Sequence, residues 1–157
     1  MKSQKIKFVT GPVLFGYVHL DPKELPLIEG ASYKYCMSVV IKKSNLEEIE
    51  RINKTVETLK KGLPIKAKGG LKEGEDPDCL YLNVVSAEKP GMVDLDLNPI
   101  LDAGEIYSGC TGRVSVTAYT YHLSKQTGVA FGLNNIQKLG DGPDYFNAFS
   151  SYKFNRL

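Results

Sequence analysis

The stretch from Ala103 to Gly142 reads as two strands joined by a short turn, and it limits the fold more than any other stretch of the chain. Val114, Val116, Ala118 and Thr120 take one parity, and Arg113, Thr117, Tyr119 and Tyr121 take the other. Successive side chains of a strand point to opposite faces, so the first set reads as a core face and the second as an outer face. Ser124 to Gly128 has turn chemistry, and Val129 to Leu139 reads as the return strand, with Phe131 and Leu133 inward. The long strand is expected from Glu105 to His122. Gly109 and Gly112 interrupt it and permit the bulges and curvature that a curled sheet needs.

The rest of the chain supplies further strands and one helix. Ile6 and Phe8 alternate first; Val13, Phe15, Tyr17 and His19 then share a face after the Gly11-Pro12 bend. A second strand is expected from Ser32 to Lys42, with Tyr33, Tyr35, Met37, Val39 and Ile41 on one side. Ser44-Asn45-Leu46-Glu47 reads as a capping box that opens a helix over about residues 45–61. Leu46, Ile49, Ile52, Val56 and Leu59 form its apolar stripe, and Gly62 and Pro64 end it. Pro64 to Pro77 reads as a long loop, basic in its first half and acidic in its second. Cys79 to Ser86 reads as a buried strand, and a short strand is expected within 92–97. One helix among about five strands fits a mainly β fold: an OB-type five-stranded barrel with one inserted α-helix. From the pattern alone an open α+β sandwich fits nearly as well.

Size and charge bound the function. At 157 residues and 42% apolar composition, one domain with its own core is expected. The expected division is residues 1–142 as that domain and residues 143–157 as an aromatic C-terminal tail. No apolar run is long enough to span a membrane, and the basic N-terminus lacks the apolar segment of a secretory signal. Cys36, Cys79 and Cys110 are an odd, scattered set and read as free thiols of a reducing compartment. Residues 1–72 carry fourteen basic residues against seven acidic, a balance of +7. Residues 73–157 carry six against eleven, a balance of −5. Such a division can set a positive face, attractive to polyanions, opposite a negative one.

Catalytic patterns are missing from the sequence. His19 and His122 stand far apart, and no Cys-x-x-Cys, Walker-type loop or Gly-x-Ser-x-Gly elbow occurs, so no metal, cofactor or enzymatic activity is expected. Asp94-x-Asp96 could hold a divalent ion for phosphodiester cleavage, but no lysine lies near in sequence. What remains is binding chemistry: aromatic faces for bases and cations for phosphates. Lys34, Tyr35 and Lys42 on the second strand, Lys66 and Lys68 in the basic loop, and Arg113, Tyr119 and Tyr121 on the long strand are the candidates. A structural or adaptor protein that uses its strands and exposed aromatics for protein contacts is the alternative.

The segment from Val114 to Tyr121, followed by Gly128-Val-Ala-Phe-Gly-Leu-Asn-Asn-Ile-Gln-Lys-Leu-Gly-Asp-Gly142, resembles bacteriophage single-stranded-DNA-binding proteins with an OB fold. The resemblance is specific over residues 113–142 and looser over strands 13–42 and the helix. It implies binding of single-stranded DNA without sequence preference, without a cofactor, in phage replication, recombination or repair inside the bacterial cytoplasm. It also implies that Asn134, Asn135, Gln137 and Lys138 join Arg113, Tyr119 and Tyr121 in the DNA groove, and that Gly128 and Gly132 serve backbone geometry. Phage replication or recombination proteins are the partners it suggests. Many proteins of this function end in an acidic tail, whereas this chain ends in aromatics from Tyr145 to Phe154. That tail is therefore expected to pack across a dimer or oligomer contact.

Overall fold

The computed structural model describes residues 4–20, 35–123 and 126–141. Lys34, Tyr33 and the tail beyond Asp141, all used in the expectations above, lie outside the described residues. The elements run β1 (Lys5–Val9), β2 (Val13–His19), β3 (Tyr35–Lys42), α1 (Leu46–Lys60), β4 (Lys72–Glu73), β5 (Cys79–Ser86), β6 (Gly91–Val93), β7 (Thr111–Leu123) and β8 (Gln126–Gly140). A 3-10 turn, Ala103–Glu105, lies before β7.

Five strands close into a ring. β2 pairs antiparallel with β3, β3 with β5, and β7 with both β8 and β2. The fifth side is parallel, where Val85 of β5 faces Gly132 of β8. This connectivity is that of the OB type, with the helix inserted between the second and third strands of the ring. β1 extends the sheet on β7, β6 runs parallel to β8, and β4 lies on β5.

Parity fills the inside of the ring. Val114, Val116 and Ala118 are fully buried and Thr120 nearly so, whereas Arg113, Thr117, Tyr119 and Tyr121 are half-buried on the outside. Met37, Val39 and Ile41 of β3 meet Leu82 and Val84 of β5, and Phe131 and Leu133 of β8 close the same core. β-Branched and aromatic side chains suit this pleated, half-covered surface. The helix lies against β7 and β8 and adds Ile52, Val56 and Leu59 to the core, each worth ~1.5–3 kcal/mol when fully buried.

Several boundaries differ from the sequence reading. β7 begins at Thr111, because the 3-10 turn, seated on Asp102, takes up residues 103–105. The helix N-cap is Asn45, whose Oδ1 accepts from the Glu48 backbone at 3.4 Å, in place of the Ser44–Glu47 box. That one-residue shift buries Glu48 and leaves Leu46 71% exposed, outside the apolar stripe. Most consequential is the stretch after Pro64. It does not leave the ring as a loop: Lys68 forms a parallel bridge with Gly128, and Lys72–Glu73 then pairs with Tyr81 and Leu80.

Candidate functional site

The crossing segment places lysines beside the outer tyrosines. Lys68 N donates to Thr127 O at 3.1 Å and Val129 N donates to Lys68 O at 2.8 Å, so the backbone is held on β8 at both sides of the residue. Gly69 makes this approach possible. It has φ +115°, and a Cβ there would lie 2.1 Å from Val129 O. Only glycine satisfies both conditions. Lys68 is thereby held at a groove of about 580 Å³ that it lines with Lys72, Asn83, Tyr119, Tyr121 and Gln126. Gln126 Nε2 donates to the Tyr121 hydroxyl at 3.0 Å and orients that ring at the hairpin end.

A second hollow of about 440 Å³ adjoins the first through Lys72, Asn83 and Val85. Tyr17, Cys36, Ser38 and Tyr81 line it. Its floor is stiffened by Ser38 Oγ, which donates to Asn83 Oδ1 at 2.7 Å. The two hollows make one furrow across β3 and β5, from the β7–β8 hairpin to β2. Its chemistry is aromatic rings, amide and hydroxyl groups, and lysines at the rim.

The sequence candidates divide between this furrow and elsewhere. Lys68, Tyr119 and Tyr121 come together in it, and Lys66 is exposed two residues before Lys68. Tyr35 shares the parity of Met37, Val39 and Ile41 and packs against the core. Lys42 is exposed at the far end of β3. Arg113 stands six residues from Tyr119, roughly 20 Å along the strand. Its Nε donates to Thr10 O at 3.3 Å, beside the helix N-terminus. Asn135 is paired opposite Gly91, outside the furrow. Lys138 makes a 2.9 Å ion pair with Asp141 and lies 4.9 Å over the Tyr107 ring. Gln137 Nε2 reaches the Asp94 and Leu95 carbonyls, and Asn134 Nδ2 donates to Thr117 Oγ1.

Sequence reasoning missed Tyr17, Lys72, Tyr81 and Asn83. Alternation assigned Tyr17 to the Phe15 face, but the β2–β3 register breaks between Gly16 and His19. Tyr17 takes φ 46° there, and its ring is turned out of the core, 51% exposed. A bulge re-aims a side chain in this way, and nothing in the alternation signals it.

Of the carboxylate pair, Asp94 has a structural role. Asp94 Oδ1 accepts from the backbone N–H of both Asp96 and Asn98 at 2.9 Å, capping the turn after β6. Among the described residues no group of three or more His, Cys, Asp or Glu side chains is placed to hold a metal ion, and the three cysteines are free. Among the described residues no helix is long and apolar enough to cross a membrane.

A ring of OB connectivity with a cationic, aromatic furrow across two of its strands has the architecture of the fold class whose members include binders of oligonucleotides and oligosaccharides. The chain belongs to the family described as Enterobacter phage Enc34, ssDNA-binding protein, whose model matches residues 6–153. The fold agrees with solved structures at low identity. The C-terminally truncated single-stranded DNA-binding protein of bacteriophage Enc34 superposes with a TM-score of 0.75 at 18% identity, covering 87% of each chain. The same phage's protein in complex with ssDNA gives 0.72 at 14% identity, over 87% of this chain and 88% of that one. Gp2.5, a single-stranded DNA binding protein encoded by bacteriophage T7, gives 0.64 at 12% identity, over 92% and 94%. Among curated proteins none matches the chain in sequence.

Proposed function

We infer that this chain binds single-stranded DNA as its family does, and that the strand lies in the furrow across β3 and β5. The observation that carries the location is the meeting of Lys68 and Lys72 with Tyr119 and Tyr121 around one groove. Bases stack on the rings and the lysines neutralise phosphates, so the grip does not depend on sequence. The outer faces of Tyr119 and Tyr121 hold bases at the hairpin end, and Lys66 adds charge at the rim. A duplex keeps its bases stacked inward and offers the rings nothing, so single strands are preferred. Bound this way, the protein keeps strands unpaired while phage DNA is copied, recombined or repaired in the bacterial cytoplasm, and no residue is assigned a catalytic role.

The test is fluorescence anisotropy of labelled oligo-dT and of a matching duplex, at several salt concentrations. Tight oligo-dT binding that falls steeply with salt, and weak duplex binding, are the expected results. Equal affinity for the two forms would remove the reading. Salt-insensitive self-assembly without DNA would favour the adaptor alternative. The tail from residue 143 onward is proposed as an oligomer contact separate from the binding domain. Light scattering on a chain ending at Gly142 should then show a lower mass than the full chain.

A further inference from the structure

The hollow at the β2 end of the furrow contains an aromatic pair that has no packing role in the core. Tyr17 and Tyr81 lie with ring centroids 6.4 Å apart and planes inclined at 53°. Tyr17 is held out by a left-handed backbone, a conformation that a ring-bearing residue adopts only at a cost. In a strand that otherwise alternates cleanly, this strain yields an exposed ring instead of a buried one. The pair stands beside Lys72 and Asn83, which also line the groove of Tyr119 and Tyr121.

The pair is not open to solvent on every side. The chain from Glu73 to Asp78 passes over it and carries four carboxylates, Glu73, Glu75, Asp76 and Asp78. A Cβ at Gly74 would lie 2.3 Å from Tyr81 Cε1, so the loop backbone rests directly on that ring. Asp76 N donates to the Tyr81 hydroxyl at 3.3 Å. Desolvation first, and then the nearby Glu75 carboxylate, push the Tyr17 pKa up. Glu73 is tied to Lys43 by a 2.9 Å ion pair. The acidic segment therefore lies on Tyr81 through Gly74, beside Tyr17 through Glu75 and against Lys43 through Glu73, where a strand of DNA would meet the same rings and lysine, while the Asp76 carboxylate accepts from Asp78 N at 2.9 Å.

We propose that Tyr17 and Tyr81 are a second base-stacking site at the far end of the furrow, and that the acidic segment Glu73–Asp78 occupies it until single-stranded DNA displaces it. The proposal rests on the reading of the furrow as the DNA site. A base can lie on Tyr81 only when Gly74 lifts away, and a phosphate can approach Lys43 only when Glu73 releases it. The segment thus acts as an internal competitor whose hold weakens with salt, as does that of DNA. Weakly or briefly held polyanions are turned away, and a strand that already engages Tyr119 and Tyr121 has the local concentration to open the second site.

Anisotropy with oligo-dT on the full chain tests this. Asparagine tolerates a left-handed backbone, so Tyr17→Asn removes the ring with the least disturbance of the bulge. It should weaken oligo-dT binding roughly tenfold, as the loss of one stacked base does. Neutralising the segment with Glu75→Gln and Asp76→Asn should tighten binding several-fold at low salt. In a Tyr17→Asn background that gain should shrink, because the ring beside Glu75 is gone. A general repulsive field would leave the gain intact, which would overturn the competition. Unchanged affinity for Tyr17→Asn alongside a weakened Tyr119→Ala would overturn the second site and leave the groove standing. Failure of the unaltered chain to prefer oligo-dT would remove both. Should Tyr17→Asn lower the melting temperature, Tyr81→Leu replaces it in the same comparisons.

Discussion

Tyr119 and Tyr121 project from the same face of β7 and line one groove with Lys68. Truncation of either to alanine should weaken oligo-dT binding by ~1–3 kcal/mol and leave the melting temperature nearly unchanged, since neither ring belongs to the core. Away from the groove, Tyr107 donates to the Asp141 carboxylate, which also pairs with Lys138. The bond to Asp141, helped by desolvation, pushes the Tyr107 pKa up to about 12 and holds Asp141 below the usual carboxylate range. A raised folded pKa contributes stability that is complete below the unfolded tyrosine value and lost as pH climbs through the folded one. Ultraviolet titration should therefore show one tyrosine ionising near the top of the alkaline range, and Asp141→Ala should return it to the others. At this scale the sequence revealed the two groove tyrosines by parity. It could not reveal Tyr17, because one left-handed residue reverses the side on which a ring emerges.

For the elements, the helix gives the clearest experiment. Asn45→Ala should cost ~1 kcal/mol in denaturant unfolding, and Ser44→Ala should cost far less, because the capping oxygen belongs to Asn45. Glu48 is buried, accepts from Gly11 N at 3.2 Å and sits 3.7 Å from Arg51. Burial raises its pKa, against the opposing pull of Arg51 and the Gly11 bond. Such a carboxyl favours the native state while protonated, and that contribution is lost as pH rises through its folded value. Glu48→Gln keeps an acceptor for Gly11, so it should gain stability relative to the unaltered chain from about pH 4 upward. The helix and the hairpin were legible because their periods of 3.6 and 2 extend over many residues. The short strand expected near Met92 is β6, but its parallel pairing with β8 was not legible, nor was β4, since two or three residues carry no period.

For the whole molecule, charge placement decides how binding responds to salt. Each phosphate neutralised on a single strand contributes roughly −0.7 to the slope of log affinity against log salt. Replacing Lys68 and Lys72 together by glutamine should make that slope shallower by about 1.4, whereas Arg113→Gln should change it little, because its guanidinium is directed to Thr10. The sequence showed that the first half of the chain is basic and that its loop turns acidic. It could not show that this loop is threaded across the ring, with its basic half at one hollow and its acidic half at the other, since Lys68–Gly128 and Glu73–Leu80 are contacts of the folded state alone. The ring itself is unevenly sealed. β7 and β8 share a ladder from Thr111 to Leu123, whereas β5 and β8 meet at the single rung Val85–Gly132. Backbone amides flanking that rung should exchange their hydrogens for deuterium soonest among the ring strands, so the molecule should breathe along the seam that runs beneath its own groove.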